Sequence, residues 1–145
     1  MAALQVASKY RVSQKLTDTG IWYVPELCRN DKVKPHFKLA RKSMRTNRKY
    51  QARMTRYALE NKRSVNSTSE SSITRVERAA LQVFCDTVLL DWKDVFDDQG
   101  NVIPYSTEQA FALLIECPDL YDELDEAACE RENFIGEGGD KIAAK

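Results

Sequence analysis

The spacing of apolar positions changes along the chain, and each change predicts an element. Residues 20–24, Gly-Ile-Trp-Tyr-Val, are β-branched and aromatic and stop at Pro25, which reads as a short strand. Residues 36–41, His-Phe-Lys-Leu-Ala-Arg, alternate, so Phe37 and Leu39 face a core while Lys38 and Ala40 face away. The polar stretch between them is loop-like, and the two strands are expected to form a small antiparallel sheet. Over 47–62 the period becomes helical: Tyr50, Met54, Tyr57 and Ala58 recur on one face with Leu59 beside them. The strongest helical pattern runs over 73–91, where Ile73, Val76, Ala80, Val83, Phe84, Val88 and Leu90 form a broad apolar face free of Gly and Pro.

Beyond Trp92 the pattern shortens again. Trp92 and the pair Val95–Phe96 flank Lys93 and Asp94, and Asp97-Asp-Gln-Gly-Asn101 is a turn leading to Val102 and Ile103. This predicts a β-hairpin near 92–104 hinged on Gly100. Ser106-Thr-Glu-Gln109 has the spacing of a capping box: the Ser106 hydroxyl accepts from the Gln109 N–H, and the Gln109 side chain returns to the Ser106 N–H. The helix it starts carries Ala110, Phe111, Leu113, Leu114 and Ile115. Pro118 and Asp119 open a further helix, with Leu120, Tyr121, Leu124, Ala127 and Ala128 as its stripe. The expected fold class is α+β, mainly α-helical, with a small N-terminal antiparallel sheet, one hairpin and three to four helices.

Charge divides this chain more sharply than hydropathy does. Its 145 residues hold 22 Lys/Arg and 22 Asp/Glu, a net formal charge of zero. Residues 1–65 carry 16 basic and 4 acidic side chains, whereas residues 66–145 carry 6 and 18. The expected organisation is a basic N-terminal lobe over 1–63, a Ser-rich linker or loop over 64–72, an acidic helical lobe over 73–135 and a flexible tail over 136–145. No apolar run reaches the roughly 20 residues that span a bilayer, and the first residues lack the charged and apolar regions of a secretion signal. The expectation is a cytoplasmic protein.

Candidate chemistry narrows the picture by elimination. Cys28, Cys85, Cys117 and Cys129 lie at least 12 residues apart, and with the single histidine, His36, they match no familiar zinc spacing, so they read as free thiols, largely buried. The acidic turn fails as a calcium loop: with Gly100 at its sixth position, Val95 and Ser106 fall where carboxylates are required. The carboxylate run Asp119, Asp122, Glu123, Asp125, Glu126, Glu130 and Glu132 has the form of a solvated helix face. With no phosphate loop and no nucleophile beside a base, neither an enzyme nor a cofactor is expected.

Two surfaces are candidates for contact. Arg41, Lys42, Arg45, Arg48, Lys49, Arg53 and Arg56 form a basic segment interleaved with Tyr50 and Tyr57. Such a segment suits nucleic acid or acidic protein, and the equally charged acidic half makes protein the better match, whether a second copy or another partner. Trp92, Phe96, Tyr105, Phe111, Leu114, Tyr121 and Leu124 are either core or the lining of an apolar groove.

The order of these features resembles the tail assembly chaperones of long-tailed, siphovirus-type bacteriophages. The similarity runs over roughly residues 18–135, from Gly20-Ile-Trp-Tyr-Val and Phe37-Lys-Leu-Ala-Arg through Lys49-Tyr50 and Leu89-Leu-Asp-Trp-Lys-Asp-Val95. It continues through Asp97-Asp-Gln-Gly-Asn-Val-Ile-Pro-Tyr-Ser106 to Pro118-Asp-Leu-Tyr121. The resemblance implies a non-enzymatic protein of the host cytoplasm that binds the tape measure protein, and often the tail tube subunit, promotes tail assembly and is absent from the finished virion. Self-association through the complementary charged halves is a separate expectation. The alternatives are a structural virion component, in the tail or the head–tail connector, and a basic nucleic-acid-binding module.

Overall fold

The computed structural model describes residues 6–7, 9–60 and 70–135. Helix α1 (Gln14–Thr19) is capped by Ser13, whose hydroxyl accepts the Leu16 N–H at 3.1 Å. Gly20, with φ at 90°, turns the chain into strand β1 (Ile21–Tyr23). A 3-10 turn (Glu26–Cys28) precedes strand β2 (His36–Leu39) and helix α2 (Arg48–Glu60). Helix α3 (Glu70–Thr87), strand β3 (Leu89–Lys93), helices α4 (Thr107–Glu116) and α5 (Pro118–Cys129) and a second 3-10 turn (Arg131–Phe134) complete the order. A methyl group at Gly20 would stand 3.0 Å from the Leu39 carbonyl oxygen and 3.1 Å from Leu90 Cδ1. Gly20→Ala is therefore expected to destabilise the fold by about 1–2 kcal/mol, read as a lower urea midpoint, and an unchanged midpoint would show that the turn into β1 relaxes freely.

The three strands form one antiparallel sheet in the order β1-β2-β3. Tyr23 stands opposite Phe37, and Phe37 opposite Trp92; a bulge between Lys38 and Leu39 leaves Leu39 opposite Leu89. Period-two alternation points Phe37 and Leu39 to one face, Trp92 opposite Phe37 shares that face, and the bulge, which leaves Leu90 as the extra residue of β3, brings Leu89 back to it. There they meet Leu81, Phe84, Cys85 and Val88 of the α3 region, Ala110 and Leu114 of α4, and Leu124, Ala127 and Ala128 of α5. β2 lies in the basic stretch and β3 in the acidic one, so the two charge-defined halves share a sheet and a core.

The class expected from sequence is the one found: mixed α and β, mainly helical, with a small three-stranded antiparallel sheet. Several details differ. Five helices are present among the described residues, α1 being the addition. The helix expected over 73–91 ends at Thr87, where the Val88 N–H still donates to the Phe84 carbonyl at 2.9 Å, and Leu89 then begins β3. Val88, Leu89 and Leu90 fit either period, and the free edge of β2 decides for a strand, because its backbone groups need partners. The expected hairpin over 92–104 is correspondingly reduced. Trp92 and Lys93 belong to the sheet, Asp94 breaks the strand with φ at 58°, and Phe96 and Val102 form one isolated bridge. Its turn is as expected: Gly100 has φ at 83°, and the Asp97 carboxylate accepts from the Asn101 N–H at 2.8 Å and the Gln99 N–H at 3.0 Å.

Ala40, expected to face away, is buried, and its N–H donates to the Val88 carbonyl at 2.8 Å. Of the face expected on the next helix, Tyr50 is buried and Met54 and Tyr57 are half-buried as expected, whereas Ala58, and Leu59 beside it, are exposed. Of the Ser-rich stretch, residues 70–72 are the start of α3, while 64–69 lie outside the described residues, as does the tail over 136–145. No helix among the described residues is long and apolar enough to cross a membrane.

Candidate functional site

The apolar candidates separate by burial. Trp92, Leu114 and Leu124 are core residues at 5%, 1% and 0% exposure. Trp92 packs edge-on against Phe37 and Tyr105 with ring centroids 6.1 Å and 5.3 Å away, and its indole N–H donates to the Ile103 carbonyl at 2.7 Å. Tyr105 donates its hydroxyl to the Leu89 carbonyl at 2.6 Å, and Tyr121 packs edge-on against Phe84 at 5.1 Å. Phe111 is half-buried against the same core. Phe96 alone of the seven is exposed, at 44%.

Phe96 has exposed apolar neighbours in the topology that its sequence context did not reveal. His36 stands opposite Lys93 and Tyr23 opposite Phe37, so the β1–β2 connection and the chain leaving β3 emerge at the same end of the sheet. The connection carries Leu27 and Val33, exposed at 93% and 57%, and the chain after β3 carries Phe96 and Val102, the latter at 62%. Single exposed apolar residues are ordinary, and these four, set among exposed polar residues on two loops at one end of the sheet, are the candidate apolar surface. In the sequence, the only sign was large apolar residues placed inside polar turn segments. The sheet face turned away from the core continues this end: Lys93 Nζ lies 4.5 Å and Lys38 Nζ 5.7 Å from the centroid of the Trp22 ring, and the His36 ring meets it edge-on at 6.5 Å.

The basic candidates also separate. Lys42 donates to Asp125 Oδ1 at 2.6 Å, and Arg53 reaches Asp86 Oδ2 at 2.7 Å. Burial opposes the charge on Lys42, but its hydrogen bond and attraction to Asp125 prevail, and its pKa is raised. Arg41 is half-buried, with a buried Nε that has no hydrogen-bond partner. Arg45, Arg48, Lys49 and Arg56 are exposed and form no ion pair among the described residues. The acidic half is engaged in the same selective way. Glu123 Oε2 accepts from the Tyr23 hydroxyl at 2.6 Å and from the Glu26 N–H at 2.8 Å, tying β1 to α5. Part of the charge complementarity expected between copies is thus satisfied inside one molecule.

The thiols are free, as expected, but not uniformly buried: Cys85 is buried, Cys28 and Cys117 are half-buried, and Cys129 is exposed at the end of α5. Burial pushes the Cys85 thiol up to about 12. No group of three His, Cys, Asp or Glu side chains among the described residues is placed to hold a metal ion. The arrangement offers surfaces for contact: an apolar sheet end, a cationic helix face and a carboxylate-bearing helix. A family model described as YdaY prophage protein matches residues 38–145, from within β2 to the end of the chain. No curated protein and no solved structure matches the chain.

Proposed function

The chain belongs to the YdaY prophage protein family, and on that premise we propose that it is a non-enzymatic tail assembly chaperone acting in the host cytoplasm. Its client is the tape measure protein, with tail tube subunits as a second partner, and it leaves before the virion is complete. A phage origin follows from the family itself. The step to tail assembly rests on the resemblance carried by Trp92–Tyr121, a segment that lies wholly inside the matched region.

The observation that carries the binding role is the apolar end of the sheet, with Leu27, Val33, Phe96 and Val102 all exposed. A long helical client presents apolar stripes that aggregate unless covered, and a surface of this kind covers them while the charges around it keep the complex in solution. Trp92, Leu114 and Leu124 are core residues and do not touch a client themselves.

Co-expression with the tape measure protein tests the reading. The wild-type chain is expected to raise the soluble yield of the client and to co-purify with it. Phe96→Asp combined with Val102→Asp should abolish both effects while leaving the circular dichroism spectrum unchanged. No gain in client solubility with the wild type would count against a chaperone. Recovery of the chain in purified particles would favour a virion component instead.

A further inference from the structure

Helix α2 and helix α5 carry opposite charges in matching arrangements, and both charged stripes face solvent. On α2, Arg48, Lys49 and Arg56 fall within a sector of about 100° at 100° per residue, over about 12 Å of axis. They are exposed and form no ion pair among the described residues. The small side chain of Ala52 lies between them, and an open groove of ≈ 600 Å³ runs past Arg48, Gln51, Ala52, Thr55, Arg56 and Leu59 and ends at Glu60, the one carboxylate of α2.

On α5, Asp119, Asp122 and Glu126 fall within a sector of about 60°, over about 10 Å. They too are exposed and form no ion pair among the described residues. The neighbouring acids are already occupied, Glu123 by Tyr23 and the Glu26 N–H, and Asp125 by Lys42. On the basic side Arg53 is held by Asp86. On these two helices, apart from Glu60 at the end of α2, what remains outward is a cationic stripe and a carboxylate stripe of nearly equal length.

We infer that the groove along the outer face of α2 takes the acidic stripe of α5 from a second copy of this chain. Arg48 and Arg56 of one copy flank the carboxylates of Asp122 and Glu126 of the next, and Ala52 lets the two helices approach. The contact joins different surfaces, so each copy keeps a free α2 groove at one end and a free α5 stripe at the other. Association is then open-ended and builds stacks or rings. It rests on the charge pattern alone and does not depend on what client the apolar end of the sheet receives.

Sedimentation velocity of the full chain tests this at about 0.01 M salt, where charges act over about 30 Å, and at about 1 M, where they act over about 3 Å. The wild type should associate with rising concentration in low salt and sediment as a monomer in high salt. Arg48→Glu with Arg56→Glu should be monomeric in low salt, and so should Asp122→Lys with Glu126→Lys. Mixed together, the two variants should associate again, because each supplies the complement the other lacks; that recovery also shows that both are folded. A wild type that stays monomeric in low salt overturns the inference. So does a mixture that stays monomeric, or association that persists in both variants. A monomeric wild type that shifts random duplex DNA through Arg48 and Arg56 would assign the cationic stripe to nucleic acid instead.

Discussion

Trp92→Ala is expected to destabilise the protein by about 3–5 kcal/mol, enough to leave a chain of this size marginally folded or unfolded at 37 °C. Three losses combine. Loss of the buried indole leaves a cavity beside Phe37 and Tyr105, which lose the edge contacts at 6.1 Å and 5.3 Å. The Ile103 carbonyl loses the donor it meets at 2.7 Å. The cross-strand pairing of Phe37 on the central strand with Trp92 on β3 loses its larger partner. Trp92→Phe keeps most of the packing and removes the hydrogen bond, so it should cost less, about 1–3 kcal/mol. Phe96→Ala, at a residue 44% exposed, should fall within about 0.5 kcal/mol of the wild type. Urea unfolding of the three variants gives the comparison. Were Trp92 a groove residue, its alanine variant would fold normally and fail only in client binding, and that result would move the contact surface from the sheet end to the helices.

The contrast between Trp92 and Phe96 shows where the sequence was legible. Local rules sufficed for elements whose signals are local. The Ser106 hydroxyl meets the Gln109 N–H at 3.1 Å, Pro118 opens α5, and the Asp97–Gly100 turn forms on its own side chains. Phe37 and Leu39 alternate inward as their spacing requires. Val88-Leu-Leu90 was ambiguous because an apolar run buried on both sides carries no period of its own, and only the pairing requirement of β2 makes it a strand. Helix α1 is 6 residues long, too short for a periodic stripe to mark.

The candidate surfaces were less legible, because exposure is a tertiary property. Seven basic residues in one segment are equivalent by sequence. Yet Lys42 and Arg53 find carboxylates 83 and 33 residues away, while Arg48 and Arg56 find none among the described residues. Leu27 and Val33 gain meaning only when the sheet register brings their loop beside Phe96 and Val102. Charge composition indicated that the two halves attract. The fold divides that attraction into contacts already satisfied within one chain and stripes still open to another.

Alkaline pH should expose the buried titrating groups as a loss of stability. Burial first, and then the charge of Asp86, hold the Cys85 thiol up at about 12, against an ordinary value of 9.0. Burial and the Glu123 hydrogen bond raise the Tyr23 hydroxyl to about 12, and burial and the charge of Asp125 raise Tyr121 to about 12. All three are acids whose folded pKa lies above the unfolded one, so the unfolded chain releases its protons first and gains on the fold as pH rises. Their contribution is therefore complete below about pH 8.5, declines above it and is gone once the folded groups also ionise near pH 12. Cys85 begins the decline, because its unfolded thiol ionises at the lowest pH of the three, and it should account for about 2–4 kcal/mol of the loss by pH 11. Urea midpoints measured from pH 7 to 11 should fall steadily in the wild type. Cys85→Ala should start lower at pH 7, for the packing it loses, and then fall less. Parallel curves for the two proteins would mean that the thiol titrates alike in both states, which a side chain 1% exposed against Val88 and Phe84 should not do.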